Sequence, residues 1–281
     1  MSMRSILVPT EQHDLMTSTL TTALLVAKRF DGYIEGFAMR PAIDNFVAMD
    51  PVSSMAMATV RQNDAEAAKQ ARSLFEGFMQ EHNVPVADPN KPALSCSWLD
   101  TAPDGDNFVG SYGRVFDVTV LGRPGDQAQS PRMITLEAAL FESGRPILIA
   151  PPTPPQKLGE NILIAWNCST EQAKTTAFAM PFLHQAKQVT VVTVEGGNVP
   201  GPSGAQLARY LRLNGIAAES ISVNPEKKST TGEVLLARAQ ALGCDLVVKG
   251  AYTQSRLRQM IFGGTTRHIL THAQLPVLMA N

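Results

Sequence analysis

Hydrophobic residues in this chain gather into short continuous runs that alternate with longer segments of helical spacing. In the second half the pattern predicts strands at 161–166, 188–194, 216–222, 245–249 and 276–280 and helices at 169–186, 203–214, 231–242 and 263–272. Uninterrupted apolar strands between helices indicate a parallel sheet that is buried on both faces. We therefore predict a small, doubly wound α/β domain here, and the first half repeats the alternation.

Three landmarks recur in the same order in the two halves of the chain. They are RSILVPT (4–10) with ENILIAW (160–166), DVTVLG (117–122) with DLVVKG (245–250), and RPILIA (145–150) with LPVLMA (275–280). Matched landmarks in one order indicate a tandem duplication. The seam falls at Pro151–Pro155, because PPTPP continues neither a strand nor a helix. The sequence thus predicts two domains, residues 1–150 and 159–281.

The first half is longer between its first and fourth strands. The first pair of landmarks is 156 positions apart and the second pair 128, so the first half carries 28 additional residues. The expected insertion is the Met- and Ala-rich segment Met39–Asn63, which Pro41 and Pro51 interrupt. Such a segment is either an adaptable binding surface or a packed excursion that covers the core, and we favour the packed excursion.

Proline leads the last strand of each half, at residues 146–150 and 276–280. A strand that ends a sheet leaves unpaired N–H and C=O groups, which another strand can cover. We therefore expect the two halves to form a pseudo-twofold pair in which these edges are covered.

The amino-acid composition indicates which classes of binding partner to expect. A formal net charge of −1 gives no basic surface for nucleic acid or an anionic membrane, so neither partner is expected. Charged residues make up 17% of the chain, a low share that favours burial of some surface in a homodimer. We predict a soluble, cytoplasmic protein from three observations. The sequence shows no secretory leader and no apolar run of membrane length, and its cysteines are scattered (Cys96, Cys168 and Cys244).

The loop after the fourth strand of the second half carries the residues best suited to bind an anion. In a doubly wound sheet, ligands bind beyond the carboxyl ends of the strands. Gly250 ends this strand, and the last helix opens with Gly263, Gly264, Thr265 and Thr266. Free N–H groups and the positive end of the helix dipole suit a phosphate there, whereas the alternative is an ordinary loop with a threonine cap.

This loop resembles the nucleotide-binding signature of the universal stress protein family, a strand followed by Gly-x2-Gly-x9-Gly-Ser/Thr. Gly250 and Gly263 stand at the first and third glycines, Thr253 at the second, and Gly264 with Thr265 at the Ser/Thr position. The segment FGGTTRHILTHAQLPVLMAN is similar to the C-terminal end of that family. The resemblance, which extends more weakly over both halves, implies two Rossmann-like domains of the adenine-nucleotide alpha-hydrolase type. It also implies ATP or another adenine nucleotide as ligand.

The family pattern assigns further residues to the nucleotide pocket. It puts an acidic residue at the end of the first strand, where Glu11 and Asn167 stand; asparagine hydrogen-bonds a hydroxyl but brings no charge for Mg²⁺. Val194 stands at an adenine-contacting position, and Trp166 is either a base-stacking ring or a core residue. The complete candidate nucleotide site is Ala165, Trp166, Asn167, Val194, Lys249, Gly250, Tyr252, Thr253, Gly263, Gly264, Thr265 and Thr266.

The first half keeps only the opening of the signature. Gly122 and Gly125 are present, but Thr135 replaces the third glycine and Pro131 interrupts the intervening stretch. Glu137 adds negative charge near the expected phosphate position, which is unfavourable without a cation. We therefore expect no nucleotide in the first half.

The sequence offers no catalytic or metal-binding set. His268 and His272 share one helical face without the glutamate of an HExxH motif, and we interpret them as late-helix residues at the C-terminal dipole. Arg256 and Arg258 either clamp a phosphate or are solvated helix charges. The resemblance favours a stress-response binding module. The alternative is a weak ATPase or nucleotide-transferring enzyme, for which Asn167 is a poor substitute for a metal-binding carboxylate.

Overall fold

The two halves of the chain contain the same sequence of secondary-structure elements. The computed structural model describes residues 3–40, 51–88, 92–125, 131–225, 229–251 and 263–281, without the side chains of 51–58. The first half consists of β1 (Ser5–Thr10), α1 (Met16–Phe30), β2 (Tyr33–Ala38), α2 (Pro51–Glu81), β3 (Ser95–Leu99), α3 (Asn107–Tyr112), β4 (Val118–Leu121), α4 (Met133–Glu142) and β5 (Ile147–Ile149). The second consists of β6 (Asn161–Ala165), α5 (Thr170–Gln185), β7 (Gln188–Val194), α6 (Gly204–Leu213), β8 (Ala218–Val223), α7 (Thr231–Ala241), β9 (Leu246–Gly250), α8 (Gly264–His272) and β10 (Val277–Ala280).

The ten strands of the described residues form one continuous sheet, in the order β3-β2-β1-β4-β5-β10-β9-β6-β7-β8. From the centre of the sheet to each edge, the strands of the two halves follow in the same order. Within each half, neighbouring strands are parallel. The central pair, β5 and β10, is antiparallel, with Leu148 opposite Leu278. The two proline-led strands therefore cover each other's edge, as the sequence predicts.

Helices cover both faces of the sheet and divide the buried hydrophobic residues into two layers. Helices α1, α2, α5 and α6 contribute Leu20, Phe75, Phe182 and Leu211 to one layer. Helices α3, α4, α7 and α8 contribute Val109, Leu140, Leu235 and Ile269 to the other. This arrangement explains why the strands are apolar on both faces. The predicted doubly wound α/β class is confirmed.

The insertion in the first half lengthens a helix. Helix α2 has 31 residues, whereas its counterpart α6 has 10. Pro51 is its first residue, a position where the missing N–H group costs nothing. Residues 59–63 are all exposed, so the prediction of a packed excursion is wrong for this part of Met39–Asn63. The buried core residues of the helix lie later in it, namely Ala71, Phe75 and Met79. Residues 41–50 lie outside the described residues.

Two aspartates hold the start of the first strand of each half in the same way. Asp117 accepts hydrogen bonds from the backbone N–H groups of Arg4 (2.8 Å) and Ser5 (3.0 Å). Asp245 accepts them from Glu160 (3.0 Å) and Asn161 (3.1 Å). The repeated contact explains the acidic residue at the start of both DVTVLG and DLVVKG.

The three cysteines are free thiols, and Cys96 is buried. Burial raises its thiol pKa, which keeps this group protonated at neutral pH. None of the helices described is both long and apolar enough to cross a lipid bilayer.

Candidate functional site

A cavity of about 220 Å³ lies at the carboxyl ends of the strands in the second half. Nine of the predicted site residues line it, namely Ala165, Trp166, Asn167, Val194, Lys249, Gly263, Gly264, Thr265 and Thr266. They come from the ends of β6, β7 and β9 and from the start of α8, which are adjacent because β6 lies between β7 and β9 in the sheet. Tyr252 and Thr253 lie outside the described residues, as do Arg256 and Arg258.

Gly250 has a packing role that the sequence did not predict. It does not line the cavity, and its N–H group donates a 2.6 Å hydrogen bond to Oε1 of the buried Gln172. A Cβ atom on Gly250 would lie 2.6 Å from the backbone nitrogen of Gln172. The glycine is therefore needed for the close approach of α5 to β9, and the approach of a ligand to Gly250 stays a prediction.

The wall of the cavity toward β7 is apolar. Val192 and Val194 of this strand face the cavity together, as alternate residues of a strand must, and Leu235 of α7 lies beside them. Five further residues line the cavity although the predicted site does not include them, namely Val192, Leu235, Gly197, Asn198 and Thr231. The alternation along β7 would have identified Val192, whereas the approach of α7 is a tertiary contact that no local pattern shows.

Trp166 and Asn167 form the edge of the cavity after β6. The Trp166 side chain is 4% exposed, packs within the hydrophobic layer of α5 and α6, and donates from Nε1 to the Pro202 carbonyl at 2.8 Å. Of the two interpretations of Trp166, these contacts agree with a core residue at a strand end. Asn167 is partly exposed, and its Oδ1 accepts a 3.3 Å hydrogen bond from the Ser169 N–H group.

The two helices that begin at the cavity differ in their capping. Thr230 caps α7: its Oγ1 accepts from Glu233 N at 3.3 Å, and its own N–H donates to the Glu233 carboxylate at 2.7 Å. Helix α8 begins after Gly263, which has no side chain to cap it, and among the described residues no side-chain hydrogen bond replaces the cap. Because the first N–H groups of a helix need acceptors, the start of α8 is the more favourable place for an anion.

Lys249 brings a positive charge into the cavity. The side chain is 6% exposed, and Nζ donates to the neighbouring Gly250 carbonyl. Burial lowers its pKa from 10.5 to about 8, against a smaller opposing effect of Glu171. The ammonium form therefore predominates at pH 7. The cavity is apolar toward β7 and cationic toward β9 and α8.

The equivalent place in the first half is filled by protein. The cavity there has a volume of only about 10 Å³, lined by Glu11, His13, Gly122, Pro131, Arg132 and Thr135 among others. Arg132 pairs with Asp106 (3.0 Å) and Glu11 (3.7 Å), and Thr135 Oγ1 donates to Asp106 at 2.5 Å. Glu11 is the acidic residue that lines this space, and Asp106 contacts it through the lining residues Arg132 and Thr135, whereas Glu137 is not among the lining residues.

His268 and His272 stack on each other near the end of α8. Their ring centroids are 4.2 Å apart, and His272 Nδ1 lies 3.0 Å from the His268 carbonyl oxygen. His272 belongs to the last turn of the helix, which agrees with their interpretation as late-helix residues. Within the described ranges, no group of three or more His, Cys, Asp or Glu side chains is arranged to hold a metal ion.

Comparison with known proteins supports the resemblance to one family. The sequence model of the universal stress protein family matches residues 226–281, and the resemblance to this family is confirmed. A universal stress protein from Archaeoglobus fulgidus DSM 4304 is 13% identical, with a TM-score of 0.70 over 100% of this chain and 99% of its own. A functionally unknown protein from Pseudomonas aeruginosa PAO1 is 15% identical, with a TM-score of 0.56 over 99% of this chain and 92% of its own. These structures share the fold, and no curated protein matches the sequence.

Proposed function

We propose that this chain acts as a universal stress protein that binds an adenine nucleotide in its second domain, residues 159–281, and none in its first domain, residues 1–150. It acts as a binding module and not through a dedicated reaction. Its effect depends on whether nucleotide is bound or on the proteins that it contacts. The homodimer and the cytoplasmic location stay predictions.

The observation that carries this proposal is the convergence of the family positions on one cavity. Residues that are far apart in the sequence, such as Asn167, Val194 and Gly263, line the same 220 Å³ space. The corresponding space in the first half measures about 10 Å³ and holds the ion pairs of Arg132. Of these two equivalent places, the one in the second half therefore offers the room for a nucleotide among the residues described.

The character of the walls agrees with a nucleotide. An apolar wall at Val192, Val194 and Leu235 suits a purine ring, and the cationic end at Lys249 and α8 suits a phosphate. The volume is below the roughly 300–1,000 Å³ of sites that enclose drug-sized ligands, so part of a nucleotide would extend outside the cavity. We do not propose an ATPase, because the described lining residues include no carboxylate to hold a metal or activate water.

Calorimetric titration with ADP of two matched glycine variants tests the assignment. Gly263→Val adds a branched side chain beside the first N–H groups of α8, and we expect ADP affinity to fall at least about tenfold, or ~1.4 kcal/mol. Gly125→Val makes the same change at an exposed position of the first half, where affinity should stay unchanged. Absence of ADP binding by the parent protein, or loss of affinity only in the Gly125 variant, would contradict the proposal.

A further inference from the structure

Lys249 is a buried cation that forms no ion pair with the acidic side chains of the described residues. Its side chain is 94% buried and lines the cavity, and its hydrogen bond goes to the carbonyl of the next residue, Gly250. In the part of the chain that the structure describes, no ion pair within 4.0 Å involves Lys249. Buried charges are normally paired, because removing an ion from water is costly. The structure thus holds a positive charge whose compensating anion does not come from the described residues.

The surroundings of Lys249 favour an anion and disfavour a second cation. The start of α8, with Gly263 and Gly264, adds the positive end of a helix dipole to the same cavity. Glu171 on α5 is the acidic group whose charge acts on Lys249, and no other titratable side chain is among the described lining residues.

The residues around the cavity are also poor ligands for a divalent cation. Mg²⁺ in proteins is usually held through one or two carboxylates together with phosphate oxygens. The described lining residues offer the amides of Asn167 and Asn198 and the hydroxyls of threonines, but no carboxylate. Chelation by Mg²⁺ would also lower the net negative charge of the phosphates, which weakens their Coulomb attraction to the Lys249 ammonium.

We infer that the second half binds its nucleotide as the metal-free phosphate, with the Lys249 ammonium supplying the countercharge that Mg²⁺ would otherwise provide. This inference rests on the proposed nucleotide-binding function. It specifies the ligand as a free nucleoside phosphate and makes Lys249 the residue that determines this preference.

Titration calorimetry with ADP, at pH 7 in EDTA and again in excess Mg²⁺, tests the inference directly. We expect the affinity to be at least about fivefold weaker with Mg²⁺, because chelation neutralises the phosphate charge that Lys249 recognises. Lys249→Met should weaken ADP binding in EDTA about 10- to 100-fold, because the variant loses a charged hydrogen bond to the phosphate. Lys174→Met is the matched control, because this exposed lysine of α5 is not among the cavity-lining residues.

The dependence on pH distinguishes a direct role of Lys249 from a structural one. The phosphate groups are fully ionised above pH 7, since their second pKa is about 6. Between pH 7 and 9 the free-state Lys249 loses its proton as the pH passes its pKa of about 8, so ADP affinity should fall about tenfold. The Lys249→Met variant should show no such fall, and the Lys174→Met variant should show it in full.

The outcomes separate this inference from the proposed function. If the parent protein binds none of AMP, ADP or ATP, with or without Mg²⁺, the proposed function fails and the inference fails with it. If ADP binds only with Mg²⁺, or binds equally well to a Lys249→Met variant with a cooperative thermal transition, nucleotide binding stands and the inference is wrong.

Discussion

Replacing Lys249 by methionine is expected to stabilise the ligand-free protein at pH 7. Burial lowers the pKa of this lysine from 10.5 to about 8, and each pKa unit corresponds to ~1.4 kcal/mol. The buried charge therefore lowers the free energy of unfolding by ~3 kcal/mol below pH 8. Methionine is similar in length and uncharged, but it loses the Nζ hydrogen bond to the Gly250 carbonyl, worth ~1 kcal/mol. The net gain should be about 2 kcal/mol, or roughly 4–8 °C in Tm.

The gain should disappear at high pH. Because the pKa of Lys249 is lower in the folded state, the unfolded state binds more protons between about pH 8 and 10.5. The stability of the parent protein therefore rises with pH through this window, and by pH 10 the remaining cost of the charge is below ~1 kcal/mol. The Lys249→Met variant lacks this contribution, so its advantage over the parent should vanish.

Urea unfolding of the parent and the variant at pH 7 and pH 10 measures both effects. Lys174→Met serves as the control, because its exposed ammonium should change stability little at either pH. A Lys249→Met variant that is less stable than the parent at pH 7 would refute the reasoning, since the lysine would then be a structural group. An equal gain at both pH values would refute its electrostatic origin.

Two further predictions concern contacts in the core. Gly250→Ala should lower the free energy of unfolding by about 1–3 kcal/mol, because its Cβ would lie 2.6 Å from the Gln172 nitrogen. Thermal denaturation of this variant is compared with that of Gly263→Ala, where a Cβ meets no described atom within 4 Å. Equal losses of stability in the two variants would contradict the prediction. Asp117→Ala and Asp245→Ala should each cost about 1–3 kcal/mol, because each leaves two backbone N–H groups without their acceptor. Urea unfolding of both variants measures this, and a loss below ~0.5 kcal/mol in either would argue against the repeated role.

The elements of the second half could be predicted closely because their signals are local. The strand predicted at 188–194 is β7, and the helix predicted at 203–214 corresponds to α6. Ser203 and Thr230 cap α6 and α7 with neighbouring residues of the same chain segment, so these boundaries depend on short-range hydrogen bonds.

Helix α2 shows where local patterns failed. An extended stretch of this helix around residues 59–63 is exposed, so no hydrophobic face marked it in the sequence. Pro51 was interpreted as an interruption, although proline is equally suited to the first position of a helix. Whether a proline interrupts an element or begins a helix depends on the residues that follow it.

The sequence by itself determined the duplication, the α/β class and most of the residues around the cavity. The duplication and the class follow from apolar runs and from turn and cap residues, whereas the cavity residues follow from the resemblance to a family and its signature. Tertiary structure alone decided that Gly250 accommodates α5, that Val192 and Leu235 complete the apolar wall, and that Lys249 is buried with no ion pair to the described residues. The physical reason is that burial and close approach depend on which elements pack together, and the charge state of a lysine depends on that packing.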